Sequence, residues 1–194
     1  MIIVSNTGPL IGLAKIQQLG LLGRLAREVY IPPQVRLELL ARTGPETALI
    51  AAALKAPIRV KAPAVLDAAA ETMLRRLDEG EKQAIALARS FPAPVLLLLD
   101  DRAGRAAAQK LGQPLTGLAG LLLLAKRQGL VTAVAPCLGL FAASATGFPM
   151  TWSPSSGIWL ENRWQGIPSA FHLLDWSRSP LSVVRPPSSV LRRQ

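Results

Sequence analysis

Val95-Leu96-Leu97-Leu98-Leu99, followed at once by Asp100-Asp101, is an unbroken apolar run of strand length that ends in two acids. An apolar run without polar alternation belongs to a strand covered on both faces, as in a parallel sheet. The start of the chain repeats the plan: Ile2-Ile3-Val4 is a short β-branched run that stops at Ser5-Asn6-Thr7-Gly8-Pro9. Val29-Tyr30-Ile31 before Pro32-Pro33, Ile58-Arg59-Val60 and Pro114-Leu115-Thr116 read as further extended segments. Between them the apolar spacing predicts helices over Pro9 to Gly20, Leu21 to Arg27, from Pro33 through Leu40, about Pro45 to Leu54, and Pro63 to Leu77. Three more are predicted, from an Asp78 N-cap to about Ser90, over Ala103 to Leu111, and over Gly117 to Gln128. Strands alternating with helices of this length give an α/β fold with a mainly parallel sheet.

The charge balance narrows the partners. The 194 residues carry 22 Lys and Arg against 12 Asp and Glu, a formal net charge of +10. Such an excess favours a polyanion, nucleic acid first and an anionic membrane surface second, although an Arg-rich composition also follows from a GC-rich genome. One cysteine, Cys137, excludes an internal disulfide and a cysteine-based zinc cluster, and the single His172 leaves little for a histidine site. Met1 to Asn6 lacks a basic leader pattern, and the apolar runs Val95–Leu99 and Leu118–Ala125 fall short of the ~20 residues of a membrane span. The expectation is a cytoplasmic protein with no membrane partner.

Composition breaks after Pro136. All four Trp, the only Cys, the only His and every Ser except Ser5 and Ser90 lie beyond it, with prolines that interrupt any long element. The expected organisation is therefore a domain over residues 1–136 and an irregular C-terminal tail over 137–194, either disordered or translated from a shifted reading frame. A one-base shift of a GC-rich back-translation does yield a helical run.

In an open parallel sheet, ligands collect outside the carboxyl ends of the strands, at the topological switch point. Asn6 follows the first strand, Asp100 and Asp101 follow a later one, and Glu38 and Glu81 lie on helices that can face the same crevice. Acidic oxygens within ~6 Å of one another repel and raise each other's pKa unless a divalent cation neutralises them. Mg²⁺ or Mn²⁺ suits oxygen-only ligation and can activate water for attack on a phosphodiester. Each position also has a purely structural use. Asp78-x-x-Glu81 fits an acidic capping box, Glu38 can pair with Arg42, Asp100 or Asp101 can cap the next helix, and Asn6 can fix its turn. Arg75-Arg76, Arg102, Arg105, Lys110 and Lys126-Arg127 either ring the crevice for phosphates or form a solvated helix surface. Nothing matches a dinucleotide glycine motif, a phosphate-loop lysine or a Ser-His-Asp arrangement.

Val4-Ser5-Asn6-Thr7-Gly8-Pro9-Leu10-Ile11, Val29-Tyr30-Ile31-Pro32-Pro33-x-Val35, Gly80-Glu81-x-x-Ala84-Ile85-Ala86, Leu97-Leu98-Leu99-Asp100-Asp101 and Thr116-Gly117-x-x-Gly120-x-Leu122-x-x-Ala125-Lys126 together resemble a PIN-like family. The resemblance covers about Ile2 to Val134, and the family resembles PIN-domain ribonucleases, including VapC-type toxins. It implies a three-layer α/β/α fold and Mg²⁺- or Mn²⁺-dependent cutting of single-stranded RNA. Carried over, Asn6 stands for the acid after the first strand, Glu38 for the helical Glu, Glu81 for the acid opening the central helix, and Asp100 for the acid after the fourth strand, with Asp101 its helper. Asn6, Glu38, Glu81 and Asp100 would hold the metal, and Thr7, Arg102 and Arg105 would meet RNA. The partners implied are RNA, a small cognate antitoxin protein and a second copy of the chain in a homodimer. Asn6 carries no charge where the family has an acid, so the alternative expectation is an impaired PIN-like module that binds nucleic acid or protein without turnover.

Overall fold

The computed structural model describes residues 1–134, together with Cys137 and a short antiparallel strand pair, Trp152–Ser153 with Ile158–Trp159. Most of the expected tail over 137–194 lies outside the described residues.

Five parallel strands form the sheet: β1 (Ile2–Ser5), β2 (Glu28–Ile31), β3 (Ile58–Val60), β4 (Val95–Leu98) and β5 (Leu115–Thr116). Their spatial order is β3-β2-β1-β4-β5, so the chain builds outward from β1 to one side and then returns to lay β4 on its other flank. The switch point therefore lies between β1 and β4, which run in register with Ile3 opposite Leu96 and Ser5 opposite Leu98. Helices α1 (Thr7–Lys15), α2 (Gly20–Leu25), α3 (Pro33–Leu40), α4 (Thr47–Lys55), α5 (Ala68–Leu74), α6 (Glu79–Arg89) and α7 (Arg102–Lys110) connect them, and α8 (Leu118–Arg127) follows β5.

The continuous apolar character of β4 has the predicted cause. Val95, Leu97 and Leu99 pack into one cluster with Leu74 of α5, Ile85 and Leu87 of α6, and Ala108 of α7. Leu96 and Leu98 point the opposite way by strand alternation and are buried as well. Pro33 opens α3 at its first helical position, where its missing N–H leaves no bond unmade.

Three helix boundaries differ from the expectation. The first helix starts at Thr7, because Gly8 and Pro9 fit inside a first turn that needs no amide donors, and it stops at Lys15, where Gln17 turns left-handed (φ 56°). The helix predicted from Pro63 begins only at Ala68. The Asp67 carboxylate accepts from the Ala70 N–H at 2.8 Å and sets the start there, while Pro63 disfavours helix in the residue before it. The second predicted helix is trimmed at its end to Leu25, where Ala26 is extended. The remaining elements fall within a few residues of their predicted bounds.

Burial sets a test of this core. Leu97→Ala is expected to lower unfolding stability by about 2–5 kcal/mol, because Leu97 is fully buried in the central sheet. Val65→Ala, at a side chain 99% exposed, is expected to change it by less than about 0.5 kcal/mol. Urea denaturation midpoints for the two variants check the contrast.

Candidate metal centre

Asn6 continues the ladder beyond β1: its N–H donates to the Leu98 carbonyl at 3.0 Å, which fixes the residue at the carboxyl edge beside β4. It holds the N-cap conformation of α1 (φ −83°, ψ 174°), yet its side chain caps nothing. The amide oxygen Oδ1 is buried and, among the described residues, has no hydrogen-bond partner. A buried acceptor left unmade costs about 1–3 kcal/mol, so such an atom calls for an explanation. The turn-fixing use open to Asn6 is not the one realised.

Glu38 reaches the same region from α3. Its carboxylate accepts from the Thr7 hydroxyl and, at 3.3 Å, from the Gln34 side-chain amide. Arg42 ignores it and pairs instead with Glu46 at 3.8 Å. The carboxylate rests against the first turn of α6, where a Cβ on Gly80 would come within 2.5 Å of Oε1. The Gln34 N–H, at the start of α3, donates to the Gln83 side chain of α6 at 3.2 Å and ties the two helices at this end.

Glu81, one residue beyond that glycine, is buried at 7% exposure. The capping box available to it is not formed, since Asp78 holds the N-cap position without a side-chain bond to the helix. Its oxygen Oε2 lies against α7, 3.2 Å from where a Cβ on Gly104 would stand. Burial pushes its pKa up to about 7, and the neighbouring charges of Asp101, Asp78 and Glu38, with a hydrogen bond to Asp101, push the same way.

The two acids after β4 diverge. Asp101 caps α7, with Oδ1 accepting from the N–H groups of Ala103 (2.7 Å) and Gly104 (2.9 Å). Asp100 instead accepts from the Leu118 N–H at 3.0 Å, at the start of α8. Its oxygen fills the space a Cβ on Gly117 would need, with Arg105 Nη1 3.3 Å from that point. Burial raises the Asp100 pKa, opposed by the Leu118 N–H and the Arg105 charge.

Asn6 thus follows β1 and Asp100 and Asp101 follow β4 at the switch point, and Glu38 and Glu81 are mutual neighbours. Among the described residues, no three Asp, Glu, His or Cys side chains form a ready cation nest. The donor set nevertheless fits a hard divalent cation: it is oxygen only, its acids repel one another, and it includes a buried amide oxygen with nothing to bind. Of the residues expected to meet RNA, Thr7 has its hydroxyl on Glu38, Arg105 donates to the Leu99 carbonyl at 3.0 Å, and Arg102 is exposed in the first turn of α7. Sequence reasoning missed Gln34, Gln83 and the three glycines that make room for acids. The four-residue step from Gln34 to Glu38 was a usable signal, and so was a glycine in the first turns of α6 and α7.

Because the folded chain holds the Glu81 proton more tightly than the unfolded chain, folding takes up protons between pH 4.5 and about 7. Stability contributed this way is complete below that window and is lost as pH rises through it. The thermal midpoint in chelator is therefore expected to fall across the window by about a few degrees, and Glu81→Gln is expected to flatten the fall. Denaturation scans of both proteins from pH 4 to pH 8 measure it.

A family model described as a PIN domain matches residues 2–148. No curated protein matches the chain. The match takes in every strand of the parallel sheet and each of the five positions at the switch-point crevice. The chain belongs to the PIN-domain family, and its fold is nuclease-like.

Proposed function

We propose that the chain is a divalent-metal-dependent endoribonuclease of the VapC-toxin-like type, acting on single-stranded RNA. The observation that carries this reading is the buried, unpartnered amide oxygen of Asn6 at the β1–β4 edge of a PIN fold. Glu81, Glu38 and Asn6 Oδ1, with an acid from the Asp100–Asp101 pair, would hold Mg²⁺ or Mn²⁺. A cation bound there supplies a water nucleophile at neutral pH and offsets charge on the phosphate. Thr7 and Gln34 hold the Glu38 carboxylate in place through their hydrogen bonds. Glu81, its pKa near 7, gives up its proton readily when positive charge replaces it. Arg102, exposed one residue beyond Asp101, is suited to a phosphate of the incoming strand, and the net charge of +10 supports a polyanionic substrate. A small cognate antitoxin protein, a homodimer and a cytoplasmic setting complete the proposal, and these rest on the resemblance to VapC-type proteins. No described helix is long and apolar enough to cross a membrane.

One observation favours a second reading. Asn6 brings an oxygen but no negative charge, which weakens cation binding, so a PIN-like module that binds nucleic acid or protein without cutting is the alternative.

Cleavage of unstructured RNA in Mn²⁺ or Mg²⁺ separates the two. The unaltered chain is expected to cut, and Glu81→Gln to lose at least about tenfold in rate. Cleavage by Asn6→Asp alone would instead identify the binding module. Arg102→Gln is expected to weaken RNA binding and to reduce the slope of log affinity against log salt by about one.

A further inference from the structure

We infer that the tandem acids after β4 have separate roles: Asp101 faces the cation with Glu81, and Asp100 is a positioning residue that latches the start of α8 through the Leu118 amide and Arg105. The inference rests on the metal-dependent reading of the site and assigns each acid within it.

The geometry sorts the two carboxylates by the glycine each one faces. Gly104 is shared by Asp101 and Glu81. Its N–H donates to Asp101 Oδ1 at 2.9 Å, and a Cβ on it would lie 3.2 Å from Glu81 Oε2. Both carboxylates therefore converge on the first turn of α7, on the side of the crevice that Glu38 also enters. Gly117 belongs to Asp100. Its missing side chain leaves the place that Asp100 Oδ1 fills, while Leu118 donates to that same oxygen at 3.0 Å.

Their polar partners sort them the same way. Asp100 is buried, and the Leu118 N–H and the charge of Arg105, whose guanidinium donates to the Leu99 carbonyl at 3.0 Å, offset that burial only in part. Asp101 adjoins Glu81, to which it is hydrogen-bonded, and its two capping bonds both use Oδ1. Asp100 follows β4 and Leu118 opens α8 just after β5, so this contact ties together the exits of two neighbouring strands.

Binding of Mn²⁺ alone, followed by calorimetry, and hydrogen exchange at the Leu118 amide test the division. Asp101→Asn keeps a good helix cap. It is expected to weaken Mn²⁺ binding at least about tenfold and to leave Leu118 exchange unchanged. Asp100→Ala is expected to speed Leu118 exchange at least about tenfold and to lower the thermal midpoint by about several degrees, with Mn²⁺ affinity within about threefold. Asp100→Asn, which can still accept from Leu118, is expected to restore the protection. Should Asp100→Ala fail to fold, Gly117→Ala displaces the same carboxylate and is expected to give the same pattern. Loss of Mn²⁺ binding in Asp100→Asn with retention in Asp101→Asn overturns the inference. An unaltered chain that binds no Mn²⁺ overturns both the nuclease reading and the role of Asp101, and Leu118 exchange then judges the latch alone. Mn²⁺ binding in the expected order without RNA cleavage overturns only the nuclease reading.

Discussion

The register of β4 against β1 is the constraint on which the rest of the molecule depends. Leu98 lies opposite Ser5, and the Asn6 N–H closes the ladder on the Leu98 carbonyl. Two segments 93 residues apart in the chain therefore release their next side chains at one edge. A one-residue slip would turn Leu97 and Leu99 out of the cluster they share with α6 and point the following acids elsewhere. Burial of β4 on both faces makes that slip costly, and core packing thereby specifies the placement of polar groups that take no part in it.

At that edge the chain concentrates what the remainder of its surface dilutes. Acids are outnumbered nearly two to one by cations overall, yet Asp101, Asp78 and Glu38 all act on Glu81, while Arg42 passes Glu38 by for Glu46. The polar neighbours of Glu38 are a hydroxyl and an amide, which orient a carboxylate without cancelling its charge. Burial first, and the neighbouring acids after it, push the Glu81 pKa up to about 7. A site left in this condition is poised for a positive ligand, and the orphaned Asn6 oxygen tells the same story by a different route.

Much of this was legible in the residues. The apolar run of β4 and the β-branched run of β1 showed both the buried parallel sheet and the edge at which function would collect, because burial on two faces removes polar alternation. Boundaries were less legible where capping competes with periodicity. Asp67 overrides the apolar spacing that reaches back to Pro63, and Gln17 ends a helix without a glycine to announce it. The site residues were nameable, but their pairings were not. Whether Glu38 meets Arg42 or Thr7, and whether Asp78 closes a box on Glu81, depends on helices brought together from distant segments. Adjacent acids such as Asp100 and Asp101 look interchangeable in a sequence, and only their neighbours in α7 and α8 tell them apart.

Gly80 and Gly104 carry an unexpected liability for anyone wishing to toughen this protein. Glycine inside a helix is ordinarily the first target for replacement, since alanine there improves stability by about 0.5–1 kcal/mol. Both positions lie in opening turns, and a methyl at either would press on Glu38 or on Glu81 and Leu99. The helices thus begin weaker than they need to, and a heat-resistant variant selected without regard to chemistry would tend to trade the crevice away.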